Sequence, residues 1–318
     1  MKTYQDILED IPVDTNLAES VVEYSVGERN PFIDPLVDWA FKRIFASEAN
    51  KEVARAFLNE VLKGKREIVS IAFGKNEYPG EIKDKRGAVL DFVCVDENGI
   101  SFLVELQRTQ QTYFKDRSLF YASRLISDQA PKGKKWNYEL KPVYVISLLE
   151  EFCLPGTDKG LYVHDVALFD TRKATVFYDK LHFVYIELKK FDKAESELET
   201  GLDKWIYSLK NASTMTKEPA FAEEMKVFFE SARCAKFTKE ELEMYRTAQQ
   251  EEWDNQNVLD FAMEKGKQEG LEAGLEAGLE QGALSKALEI AKNLRGRGWS
   301  IAQVTEVTRL SKEQIQAL

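Results

Sequence analysis

Histidine, cysteine and long apolar runs are all in short supply in this chain, and each shortage removes a class of function. The two histidines, His164 and His182, stand isolated, which argues against hydrolysis built on a histidine base. The three cysteines, Cys94, Cys153 and Cys234, are odd in number and far apart. That pattern supplies neither a disulfide framework nor a zinc spacing and suits reduced thiols. No stretch approaches the ~20 apolar residues of a membrane span, and the opening Met1-Lys2-Thr3-Tyr4-Gln5-Asp6 lacks the basic and apolar regions of a signal peptide. A cytoplasmic protein with no membrane partner is the expectation. A positive net charge is missing as well: the chain carries −10 at pH 7. The balance is uneven, because residues 1–30 hold 2 basic and 7 acidic side chains while residues 31–150 hold 19 and 17. Local charge steers a polyanion more than the total does.

What is present centres on residues 85–107. The runs Ala88-Val89-Leu90-Asp91-Phe92-Val93-Cys94-Val95 and Ile100-Ser101-Phe102-Leu103-Val104-Glu105-Leu106-Gln107 are rich in β-branched and aromatic residues, with Asp96-Glu97-Asn98-Gly99 between them. This reads as an antiparallel hairpin. A three-residue loop, Glu97-Asn98-Gly99 with glycine in the left-handed region, pairs Asp96 with Ile100 and therefore sets Asp91 opposite Glu105. Gln107 then shares their face, because side chains alternate along a strand. Two carboxylates so placed repel, and a hard divalent cation relieves that repulsion. A two-residue loop shifts the register by one and sends the acids to opposite faces, and a surface hairpin with scattered acids is the plainer alternative.

Around the hairpin the pattern is that of an α/β domain. Apolar positions at 36–45 and 53–62 mark two helices, the second after Ser47 as a cap and ended by Gly64. Asp38 and Lys42 are four apart on one helical face: either they form a simple ion pair, or Asp38 is a helix-borne acid aimed at the metal site. Residues 66–73 read as a first strand and 74–80 as a loop. Lys83, Lys85 and Arg86 form either a solvated face or a phosphate contact. A helix over about residues 111–127 carries Lys115, Arg117 and Arg124, and Lys132-Gly133-Lys134-Lys135 with Trp136 and Tyr138 makes a basic loop with aromatics. Residues 141–149 read as a strand buried on both faces. Strand-like runs at 161–169, 174–178 and 183–188 extend the sheet, and helical periodicity begins at residue 193.

The run Asp38-Trp39-Ala40-Phe41-Lys42-Arg43-Ile44-Phe45, the Leu90-Asp91 strand, Glu105-Leu106-Gln107 and the helix with Arg117 and Tyr121 one turn apart together resemble the PD-(D/E)XK nuclease superfamily. Within it they are similar to the bacterial recombination-promoting nuclease and putative transposase family. The resemblance implies a restriction-endonuclease-like αβββαβ core with an extended sheet and an all-helical C-terminal extension. It also implies a metal-dependent endonuclease cut in DNA, linked to recombination or transposition. Position by position, Asp91 and Glu105 are the acids that would hold Mg²⁺, with Mn²⁺ or Ca²⁺ as alternatives, and Gln107 stands at the superfamily's lysine position. Glutamine can hold a water but supplies no positive charge, so Lys115 or Arg117 is a candidate replacement. Leu90 stands where the superfamily has proline. The alternative reading is a catalytically weak or inactive nuclease-fold protein serving DNA binding or assembly.

The expected organisation is an acidic leader at 1–30, a nuclease-like core at 31–190, a helical region at 191–262, a glycine-repeat segment at 263–283 and a small helical module at 284–318. Gly266, Gly270, Gly274, Gly278 and Gly282 recur every four residues, interleaved with Glu269, Glu272, Glu276 and Glu280. In a helix they form a smooth stripe suited to homo-oligomerisation; otherwise the segment is a low-complexity linker. Ser300 and Ser311 read as N-caps of two short helices, with Arg309 where a turn glycine is expected. These helices form either a helix-turn-helix-like DNA reader or a packing module.

Overall fold

The computed structural model describes residues 30–78, 88–109, 112–130 and 136–318. Two helices open the described chain, α1 (Asp38–Phe45) and α2 (Lys51–Val61). Before α1, Phe32 forms an isolated antiparallel bridge with Arg233, and a turn at Pro35 and Leu36 leads into the helix. Strand β1 covers Ile71–Phe73, and β2 (Glu77–Tyr78) and β3 (Ala88–Val89) form a two-stranded ribbon. The hairpin strands are β4 (Phe92–Asp96) and β5 (Ser101–Gln107), followed by α3 (Phe114–Asp128) and β6 (Val143–Leu149). Finally β7 (Val163–Asp170) and β8 (Thr175–Glu187) complete a six-stranded sheet in the order β1-β4-β5-β6-β8-β7.

The β5–β6 and β6–β8 neighbours are parallel and the others antiparallel. The αβββαβ order arises because α3 carries the chain from β5 to the start of β6, as a parallel neighbour requires.

Strand alternation assigns the two sheet faces. Phe102, Val104, Tyr144, Ile146, Leu148, Val184 and Ile186 join the cluster containing α1 and α2, whereas Leu103, Val143, Val145, Leu149, Phe183 and Tyr185 pack with Phe114, Ala122 and Leu125 of α3. The first cluster also takes in α4 (Gly201–Asn211) and α5 (Lys226–Ala232). Phe45 lies 5.6 Å from Phe57 and 6.1 Å from Trp205, ring centre to ring centre, and Trp205 lies 5.4 Å from Phe228. Helices from both sides of residue 190 therefore share one core. Packing of these large rings supplies the dispersion and burial that hold α1 against the sheet.

Several elements differ from their sequence expectation. Residues 174–178 and 183–188 are not two strands: β8 runs through both, because β7 pairs along its length across register shifts at Ala167, Leu168 and Phe169. The first strand is confined to β1; before it Asn59 holds Ile68 from α2, accepting its N–H and donating to its carbonyl at 2.8 and 2.9 Å. Residues 74–80 are not simply a loop, since β2 lies among them. Ser47 precedes a short 3-10 turn, Glu48–Asn50, without a side-chain capping bond.

The chain divides into two compact units, one ending at Gln249 and the other covering Gln250–Leu318. Helix α6 (Lys239–Gly296) runs without a break through the glycine repeat at 263–283. In the second unit, α7 (Ile301–Thr308) and α8 (Lys312–Gln316) each begin with a capping box, Ser300 with Gln303 and Ser311 with Gln314. Val304, Leu310 and Ile315 bury against Ala291. Arg309 adopts φ +58° at the end of α7, taking the left-handed conformation that glycine normally supplies. Helix α8 has five residues, short for a recognition helix. Among the described residues no helix is long and apolar enough to cross a membrane.

Candidate metal centre

The hairpin turn fixes the geometry from which the rest follows. Asp96 donates its N–H to the Ile100 carbonyl at 3.0 Å, and Gly99 donates to the Asp96 carbonyl at 3.0 Å. The Asp96 carboxylate accepts the N–H groups of Asn98 and Ile100, each at 2.9 Å, and Gly99 has φ +77°. This is the three-residue loop, and it sets Phe92 opposite Val104 and Cys94 opposite Phe102. One step beyond Phe92, the same register carries Asp91 to the level of Glu105. Asp91 stands just before β4, and its Oδ2 accepts the Leu106 N–H at 2.7 Å. A side-chain carboxylate thus takes over a ladder position where β4 has not yet begun.

Four further groups converge on this acid pair. From α1, Lys42 Nζ lies 2.8 Å from Asp38 Oδ1 and 3.7 Å from Asp91 Oδ1. From α3, Arg117 lies 3.6 Å from Glu105 Oε2 and donates to Gln107 Oε1. The Arg117 guanidinium also sits over the Tyr121 ring, 5.5 Å from its centre. The other end of the Gln107 amide donates to the Thr109 carbonyl at 3.1 Å, so both of its polar ends are engaged within the protein.

Burial and like charge dominate the electrostatics. Burial, followed by the Asp91 charge, pushes the Glu105 carboxyl up to about 8, with Arg117 acting in the opposite direction. Burial also raises Asp91, offset by the Leu106 hydrogen bond and the Lys42 charge. At Lys42 burial works against the ammonium, but the Asp38 hydrogen bond and the charges of Asp38, Asp91 and Glu105 prevail and raise it. Lys42 and Arg117 balance Asp91 and Asp38, so the site is close to neutral when Glu105 carries a proton.

The donor set fits a hard divalent cation. Glu105 Oε1 is buried with no hydrogen-bond partner, an uncompensated acceptor of the kind a bound ion satisfies. Among the described residues no group of three or more His, Cys, Asp and Glu is arranged to hold a metal. A cation taken by Asp91 and Glu105 would therefore keep most of its water, as Mg²⁺ does in phosphate-processing sites.

Of the side chains singled out in the sequence, Asp91, Glu105, Gln107, Arg117 and Asp38 are brought together. Lys115 is not: it lies exposed on α3 with no partner at the acids. Asp38 pairs with Lys42 and adds its negative charge to the field at Asp91. Lys83, Lys85, Arg86, Lys132, Lys134 and Lys135 lie outside the described residues. The group that sequence reasoning passed over is Lys42, whose signal was its four-residue spacing from Asp38 on the helix face opposite the apolar one.

A family model described as PD-(D/E)XK nuclease family transposase matches residues 35–262, a span that includes α1, the hairpin, α3 and the helices through the first part of α6. No curated protein and no solved structure matches the chain.

Proposed function

Because the chain belongs to the PD-(D/E)XK nuclease family transposases, we propose that it is a metal-dependent DNA endonuclease that hydrolyses phosphodiester bonds, acting in recombination or transposition. The observation that carries this reading is the buried Glu105 Oε1, unpartnered beside a second carboxylate. Asp91 and Glu105 would hold the ion, and Mg²⁺, or Mn²⁺ in its place, would supply Lewis-acid polarisation of the phosphate and a bound water of lowered pKa.

The protein's own residues prepare that event. The Leu106 N–H fixes one Asp91 oxygen, leaving the other directed to the site. Loss of the Glu105 proton, which burial and Asp91 oppose, is the protonation change that must accompany occupancy of the pair. With its amide held by Arg117 and the Thr109 carbonyl, Gln107 would orient the attacking water through the carbonyl lone pair and the N–H that those bonds leave. Arg117 stays beside Glu105 and limits the repulsion between the acids.

The test is nicking of supercoiled plasmid in Mg²⁺, Mn²⁺ or Ca²⁺ by the full chain and by Asp91→Ala. Metal-dependent nicking by the parent, lost in Asp91→Ala, is expected; equal nicking by both removes the proposal.

A second reading has its own support. The Gln107 amide is engaged at both ends, by Arg117 and by the Thr109 carbonyl, an arrangement suited to a nuclease fold retained for DNA binding or assembly without turnover. Salt-sensitive DNA binding with no cleavage in any of the three metals favours it. For assembly, the exposed Leu271, Leu275 and Leu279 beside the glycine stripe of α6 make that segment the proposed homo-oligomer contact. If removal of residues 264–318 leaves the number of chains per assembly unchanged by sedimentation, this contact is wrong.

A further inference from the structure

We infer that Lys42, carried on α1, is the cation that touches the scissile phosphate, supplying from a helix the positive charge that Gln107 cannot supply from the strand. The inference rests on the nuclease reading but is separable from it by experiment.

Among the described residues two cations reach the acid pair, and their surroundings differ. Arg117 is held on three sides: by the Gln107 carbonyl oxygen, by Glu105 at 3.6 Å and by the Tyr121 ring. A planar guanidinium in such a setting is a fixed part of the wall. The Lys42 ammonium has three donors, and the two Asp38 oxygens, at 2.8 and 2.9 Å, take at most two of them. Its distance of 3.7 Å from Asp91 Oδ1 is beyond a hydrogen bond, so the attraction is electrostatic and leaves a donor for another oxygen. The side chain is 39% exposed and its partner Asp38 is 57% exposed, which opens this side of the acid pair to a bulky polyanion.

Position is guaranteed by the helix rather than by the lysine itself. Ala40, Phe41, Ile44 and Phe45 bury one face of α1 in the core. On its flank Arg43 pairs with Glu241 at 2.7 Å and lies over the Phe237 ring, and Trp39 packs against Phe237 and Tyr245. Rotation of α1 about its axis would break all of these at once. Asp38 then orients the ammonium from one turn earlier. A phosphate whose oxygen approached the acid pair would meet the Lys42 ammonium a few ångströms from Asp91, where charge develops as the P–O bond breaks. Preorganised charge of this kind acts in the transition state more than in ground-state binding.

The experiment has two arms, both on the full chain. In metal-free buffer with chelator, affinity for a labelled DNA duplex is measured against salt for the parent, Lys42→Met and Lys42→Arg. One lost phosphate contact lowers the log–log salt slope by about 1, so Lys42→Met is expected to show that drop and Lys42→Arg to retain the parent slope. In Mg²⁺, nicking by Lys42→Met is expected to fall about 100-fold, and Lys42→Met with Gln107→Lys is expected to regain part of it. Lys42→Gln repeats the binding series should the methionine variant melt early. An unchanged slope overturns the phosphate contact even if the parent cuts, as does a parent that binds no DNA. A lowered slope with a parent that cuts in no metal upholds the contact and removes the nuclease reading instead.

Discussion

Replacing Glu105 with glutamine isolates the electrostatic cost of the acid pair. In the fold this carboxyl is pushed from 4.5 up to about 8, with burial first and the Asp91 charge second among the causes. An acid whose folded pKa lies above its unfolded value holds its proton more tightly when folded. Its contribution to stability is therefore complete below about pH 4.5 and is lost as the pH rises through about 8. At 1.36 kcal/mol per pKa unit the full loss has an upper bound on the order of 5 kcal/mol.

Glutamine keeps the shape and some of the hydrogen bonding but cannot ionise. In metal-free protein, urea unfolding at pH 5.5 and pH 8.5 should show the parent losing several kcal/mol more than Glu105→Gln across that interval. The comparison is needed because Glu150, raised to about 7 by burial against the pull of Arg108, slopes in the same direction. Added Mg²⁺ should restore the parent at pH 8.5 and leave Glu105→Gln nearly unmoved, since a ligand that binds only the folded state stabilises it. Parallel pH dependences for the two proteins would refute the burial argument, because a carboxyl that ionises freely in the fold pays no such penalty.

Two other variants probe the second unit by circular dichroism. A Cβ added at Gly270, Gly274 or Gly278 meets nothing within 4 Å, so alanine at all three should raise helix stability by roughly 2–3 kcal/mol; a fall in the melting temperature would show that the stripe is already occupied in solution. Arg309→Gly should gain up to about 1 kcal/mol by relieving the left-handed backbone at the end of α7, and a loss would mean that the arginine side chain contributes more than the backbone costs.

The hairpin was legible because everything that decides it is local. Gly99 admits the positive φ, the Asp96 carboxylate closes the turn on Asn98 and Ile100, and strand alternation carries the register from there to the level of Asp91 and Glu105. The N-caps at Ser300 and Ser311 were legible for the same reason, each needing only the following three residues. The β7–β8 pairing was less so. A strand bent by register shifts alternates irregularly, and 174–178 and 183–188 looked like separate pieces when the partner strand that joins them could not be seen.

The sequence by itself determined the α/β order and the separation of the two acids along the hairpin, since these depend on periodicity and turn chemistry within a few residues, and its motifs at 38–45, 90–91, 105–107 and 117–121 carried the family resemblance. Tertiary structure alone decided what those acids face. Lys42 and Asp38 satisfy each other at four-residue spacing, so nothing in the primary structure says that the ammonium also approaches Asp91; that depends on Phe41 and Phe45 seating α1 in the core and Glu241 fixing its flank. The engagement of Gln107 by Arg117 likewise depends on how α3 lies on the sheet. Charges act through space, and only the packed fold sets the distances between side chains that the chain keeps far apart.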